Sequence, residues 1–141
     1  MDKEIEVILI EDNPDDAALA VRALKINNFA NKLIHLKDGA EALDFFSESL
    51  KQGGQFKPKV ILLDLKMPKV NGIEVLQFLK SDAVFKVIPV VILTSSAEDP
   101  DIKKCYELGA NSYIVKPVDF ENFSKAVVSL GMYWMLLNKT N

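Results

Sequence analysis

The chain is 141 residues long, enough for one domain of ordinary size and short of two. Apolar residues make up 49% and charged residues 26%, with a net charge of -3, which excludes a disordered tail, a coiled-coil repeat and a nonspecific nucleic-acid binder. No apolar stretch reaches the roughly 18 to 20 residues of a membrane-spanning helix, Met1 to Glu6 lack a secretory pattern, and the single cysteine, Cys105, excludes an internal disulfide, so a cytoplasmic protein without membrane contact is expected.

In chain order, the apolar run Ile5 to Ile10 predicts a first strand, and Pro14 to Ile26 a helix. That helix carries Ala17, Val21 and Leu24 on one stripe, and Pro14 suits its first turn. Lys32 to Leu36 predicts a second strand, and Gly39 to Leu50 a helix facing inward with Ala42, Leu43 and Phe46. Lys51 to Pro58, with Gly53 and Gly54, reads as a loop. Val60 to Leu63 is the third strand, and Gly72 to Lys80 the third helix, with Ile73, Leu76 and Leu79 inside. Ile88 to Leu93 is the fourth strand, and Pro100 to Leu108 a helix stopped by Gly109. Ser112 to Val115 is the fifth strand, and a last helix is expected to begin near Asp119, which suits an N-cap. The alternation specifies an α/β fold with a doubly wound parallel sheet, of which the (βα)5 order 2-1-3-4-5 is the common small form.

In such a sheet, function gathers where the strands end. The strand ends here carry Glu11-Asp12, Asp64, Thr94-Ser95-Ser96 and Lys116-Pro117. Three carboxylates, a hydroxyl and an ammonium therefore converge on one rim. Crowded carboxylates raise one another's pKa unless a cation joins them, and an all-oxygen donor set suits Mg²⁺. A carboxylate beside Mg²⁺ and a lysine is placed to attack phosphorus and form an acyl phosphate.

These pieces, together with Asp64-Leu65-Lys66-Met67-Pro68 followed by Gly72, resemble the receiver domain of two-component response regulators over roughly Ile5 to Val128. The resemblance implies a flavodoxin-like fold and a phosphoacceptor at Asp64, charged by a sensor histidine kinase or a phosphotransfer protein. It implies Mg²⁺ held by Glu11, Asp12, Asp64 and the Lys66 backbone carbonyl. Lys116 would grip a phosphoryl oxygen, helped by a cis Lys116-Pro117 bond. Thr94 and Ser95 would bind the phosphoryl group, and Tyr113 would rotate inward behind Thr94. Lys66 and Ser96 stand where such domains tune phosphoryl lifetime. On this reading the chain is a switch rather than an enzyme, one domain over residues 1–141 with a core of about 5–128 and no output domain. His35 and Cys105 read as a strand-face and a packing residue, and Met67 as steric.

The end of the chain is unusually apolar. Phe123, Val127, Leu130, Trp134 and Leu137 make an inward stripe on a helix expected over about 119–138, while Tyr133, Met135 and Leu136 fill other faces. Tyr133, Trp134, Met135 and Leu136 are therefore the expected interface of a homodimer. The aromatic end also resembles the stand-alone regulators partnered with bacterial phytochromes. Receiver domains use the face of the fourth helix, fifth strand and fifth helix for such contacts. Three rivals compete with this reading. An aspartyl phosphohydrolase would want a second Asp where Lys66 stands, and an FMN carrier a hydroxyl- and Gly-rich loop where Glu11-Asp12-Asn13-Pro14 stands. A phosphorylation-independent scaffold would not need the full acceptor set that this sequence carries.

Overall fold

The computed structural model describes residues 7–27, 32–53, 58–95, 100–116, 120–126 and 128–129. Strands β1 (Val7–Ile10), β2 (Leu33–Leu36), β3 (Val60–Asp64), β4 (Val90–Thr94) and β5 (Ser112–Val115) alternate with helices α1 (Pro14–Ile26), α2 (Gly39–Lys51), α3 (Gly72–Ser81) and α4 (Pro100–Leu108). A fifth helical stretch occupies 120–126. The strands form one parallel sheet in the order β2-β1-β3-β4-β5, as the alternation predicts. The three inner strands are buried at every position, which is why they read as unbroken Val, Ile and Leu.

Alternation of side chains across the pleat divides the core in two. Ile8, Ile10, Ile61, Leu63, Val90 and Ile92 face one way, onto Phe46 of α2, Leu76 and Leu79 of α3 and Cys105 of α4. Phe46 and Phe85 meet edge to face there, with ring centroids 5.1 Å apart. Val7, Leu9, Leu62, Val91, Leu93 and Ile114 face the other way, onto Ala17, Ala20 and Ala23 of α1 and onto Phe123. The 120–126 stretch is tied to α1 by Arg22 over the Phe120 ring at 4.5 Å and by Asn27 Nδ2 donating to Ser124 Oγ at 2.7 Å.

Local chemistry explains the helix limits. Asn13, Asp38 and Asn71 cap α1, α2 and α3, each side chain accepting from a first-turn N–H. Helix α4 ends at Gly109, with φ of 110°, where Ala110 N–H donates to Cys105 O at 2.9 Å and Gly109 N–H to Tyr106 O at 3.0 Å. Strand β4 begins at Val90 rather than at Ile88, because Pro89 has no N–H to give the ladder. The carbonyls of Ile88 and Lys86 accept instead from Lys80 Nζ, at 2.9 and 3.0 Å, and burial lowers the pKa of that ammonium. The innermost line of α1 runs through Ala17, Ala20 and Ala23 rather than Val21, since small side chains let the helix approach the sheet closely.

Among the described residues, no helix is long and apolar enough to cross a membrane. The expected features at Ser96, Pro117, Asp119, Val127, Leu130, Tyr133, Trp134, Met135, Leu136 and Leu137 lie outside the described residues.

Candidate functional site at the carboxyl rim of the sheet

Parallel strands that stop in register bring their last residues to one edge. Glu11 follows β1, Asp64 ends β3, Thr94 ends β4 and Lys116 follows β5. Asp12, Asn13, Asp16, Asp64, Leu65, Lys66, Thr94, Ser95 and Lys116 line a pocket of about 210 Å³ at this rim. A larger groove of about 580 Å³ runs along α1, but its lining, which includes Ala17, Val21, Ile26 and His35, holds no carboxylate.

Glu11 is buried and held on several sides. Its N–H donates to Leu36 O at 3.1 Å, and its carbonyl meets His35 Nε2 at 2.8 Å. A carbonyl only accepts, so that ring nitrogen carries the hydrogen. One carboxylate oxygen, Oε2, accepts from Asn13 N–H at 3.2 Å, while the other, Oε1, meets Lys116 Nζ at 2.9 Å.

Asp64 is positioned by the chain that follows it. Leu65 to Asn71 folds back, so that Gly72 N–H donates to Leu65 O at 2.7 Å. A Cβ on Gly72 would overlap the Asp64 carbonyl oxygen and come within 2.7 Å of Leu65 Cα, so only glycine fits this close approach. The turn is tight enough to put Lys69 at φ 68°, with Val70 N–H donating to Pro68 O at 2.8 Å.

Carboxylate oxygens of Glu11, Asp12 and Asp64 lie within 4.8 Å of one another. Burial first, then hydrogen-bonding contact with Asp12 and Glu11 and the Glu11 charge, push the Asp64 carboxyl up from 3.8 to about 8, against the lowering influence of Lys116. Lys116 answers this crowd with a single ammonium, 2.9 Å from Glu11, 3.1 Å from Asp16 and 3.4 Å from Asp64. Burial alone would lower its pKa, but the hydrogen bond to Glu11 and the charges of Asp64 and Glu11 outweigh this and raise it. The Lys116 N–H donates to Thr94 O, which ties the residue after β5 to the end of β4. Thr94 is buried and Ser95 exposed, and both line the pocket.

The donor set fits a hard divalent cation. All its oxygens are carboxylate, two of its three groups are buried, and one ammonium faces more than one negative charge.

A model of the response regulator receiver domain matches residues 7–128. The chain belongs to the response regulator receiver family. Among curated relatives, this receiver is 38% identical to the probable methanogenesis regulatory protein FilR2 of Methanothrix harundinacea, over 95% of this chain and 86% of that one. It is 35% identical to response regulator Rcp1 of a Synechocystis species, over 92% and 88% of the two chains. A solved Mn²⁺-bound form of Rcp1 superposes with a TM-score of 0.75 at 36% identity, covering 92% and 94%. The bacteriophytochrome response regulator AtBRR is 46% identical with a TM-score of 0.72, covering 95% and 97%, and the phosphorylated cyanobacterial phytochrome regulator RcpA is 34% identical with a TM-score of 0.81, covering 93% and 94%.

Glu11, Asp12, Asp64, Lys66, Thr94, Ser95 and Lys116 lie together at this rim. Tyr113 stays outside the pocket lining, half-buried and edge-on to the exposed Tyr106 with ring centroids 6.2 Å apart. Three contacts at the rim escaped the sequence reading, which has His35 only as the strand-face residue it is in β2. Asp16 reaches Lys116, Asn13 caps α1 beside the pocket, and His35 holds the Glu11 carbonyl. The order Asp15-Asp16-Ala17-Ala18 after Pro14 signals only a helix start, so nothing in it distinguishes an acid on the helix dipole from one aimed at Lys116.

Proposed function

We propose that this receiver is a phosphorylatable switch whose acceptor is Asp64. A carboxylate oxygen of Asp64 forms a bond to phosphorus as the P–N bond to the donor's phosphohistidine breaks, and the electron pair leaves on the imidazole, which takes up a proton. The observation that carries this reading is the position of Asp64, buried between two acids on one side and the Lys116 ammonium at 3.4 Å on the other. Such a group is poorly ionised alone and becomes a nucleophile when positive charge is added beside it.

Glu11, Asp12 and Asp64, with the Lys66 backbone carbonyl, would hold Mg²⁺. When bound, that ion supplies the charge that keeps Asp64 ionised and offsets the phosphoryl oxygens. Lys116 binds a phosphoryl oxygen, and the Thr94 and Ser95 hydroxyls donate to others. The added charge of nearly two units then draws Thr94 inward, and Tyr113 follows into the space behind it. The face around α4 and β5 thereby changes shape, and the chain acts by contact as a single receiver unit. The apolar Tyr133, Trp134, Met135 and Leu136 favour a second copy as one contact of that face.

The test is titration with beryllofluoride and Mg²⁺, a stand-in for the phosphoryl group, followed by amide NMR. The native chain should show saturable shifts at the rim and around β5, and Asp64→Asn none. An equal response from Asp64→Asn would overturn the assignment.

A further inference from the structure

Helix α1 departs from the usual division of labour at a helix start. Asn13 is the cap, so Asp16 stands at the third helical position, where an acid ordinarily reaches back to the cap's own N–H. Here Glu11 Oε2 takes that N–H, at 3.2 Å. Asp16 keeps its backbone N–H on Asn13 Oδ1, at 3.0 Å, and its carboxylate is released to another partner. That partner is Lys116, at 3.1 Å, closer than the 3.4 Å between Lys116 and Asp64.

We infer that Asp16 is a positioning residue that sets the resting place of the Lys116 ammonium, sharing it away from Asp64 and so restraining its engagement with a phosphoryl group there. The inference rests on Asp64 as acceptor. Lys116 has Glu11 as a second, buried anchor, so removing Asp16 does not free the side chain but shifts its balance toward Asp64. The Asp16 carboxylate is also the more yielding of the two, with its side chain 34% exposed against 0% for Glu11. A phosphoryl group arriving on Asp64 therefore competes with Asp16 first. The contact acts as a weak brake that a phosphoryl group must release.

The experiment measures beryllofluoride affinity calorimetrically at saturating Mg²⁺ for the native chain, Asp16→Asn, Asp16→Glu and Asp15→Asn. Asp16→Asn should bind about two- to fivefold more tightly, the size set by one part-exposed ion pair. Asp16→Glu keeps the charge within reach of Lys116 and should stay near the native value. Asp15 is exposed on the same turn, so Asp15→Asn controls for net charge and should leave affinity unchanged. Added salt should shrink the Asp16→Asn gain. Unchanged or weaker binding by Asp16→Asn would overturn the inference, as would an equal gain in Asp15→Asn. Failure of the native chain itself to bind would instead overturn Asp64 as the acceptor.

Discussion

Leu63 and Asp64 are neighbours in β3 with nearly the same exposure, 0% and 4%, yet burial works in opposite directions at the two. Leu63 lies among apolar groups and contributes stability in proportion to the area it hides from water. One residue further on, the same strand places a carboxylate among other carboxylates, where burial destabilises the charged form. The body of the sheet is therefore built for stability, and its carboxyl rim is a place where stability is given up for binding. A cation or a phosphoryl group at the rim meets groups that are already positioned and incompletely neutralised.

The contrast is broken most strongly from the core side. Phe46→Ala removes a fully buried ring that packs on Phe85, and should cost about 3–5 kcal/mol in denaturant unfolding. That loss should be the same at pH 5 and pH 8, with or without Mg²⁺. A loss that varied strongly with pH would mean that the core and the rim are not separate.

Gly72→Ala lies where the two regions meet. Its Cβ must push against the Asp64 carbonyl, and a cost of about 2–3 kcal/mol is expected from overpacking against backbone that cannot yield cheaply. Because the push falls on the acceptor itself, beryllofluoride affinity should fall as well. Intact affinity alongside lowered stability would show that Asp64 is not held by this contact.

A smaller effect, of opposite sign, is expected at the rim. The folded-state pKa of Asp64 is raised from 3.8 to about 8, so its contribution favours folding at low pH and is lost as pH rises through that interval. Replacing it by a neutral amide removes the loss. Asp64→Asn should therefore be more stable than the metal-free native chain at pH 8, and by less at pH 5. Mg²⁺ should narrow the difference at pH 8. A destabilised Asp64→Asn at pH 8 would contradict the view that the rim gives up stability.

Much of this architecture was legible because burial on both faces leaves a simple mark. Val7–Ile10, Val60–Leu63 and Val90–Leu93 are apolar throughout, and their order along the chain yields the sheet. The polar residues just after them were legible for the same reason, since each stands out at the end of an apolar run. Phe85 was not legible, because it sits in an irregular segment between α3 and β4 with no period to betray its burial. Asp16 and His35 were missed for a different reason. Each matters through a partner distant in the chain, Lys116 for one and the Glu11 carbonyl for the other, and each has an ordinary local reading that sequence alone cannot displace. The site was readable where it lies in the sheet, and hidden where it depends on contacts between elements.

Chemical trapping is the sharpest test of Asp64 as the carrier of the phosphoryl group. The native chain is incubated with acetyl phosphate and Mg²⁺, reduced with borohydride, digested and mapped by mass spectrometry. Asp64 alone should be converted to homoserine, dependent on both the phosphodonor and Mg²⁺. Reduction at Asp12 or Glu11 in place of Asp64, or no reduced residue in a chain that binds Mg²⁺, would contradict it.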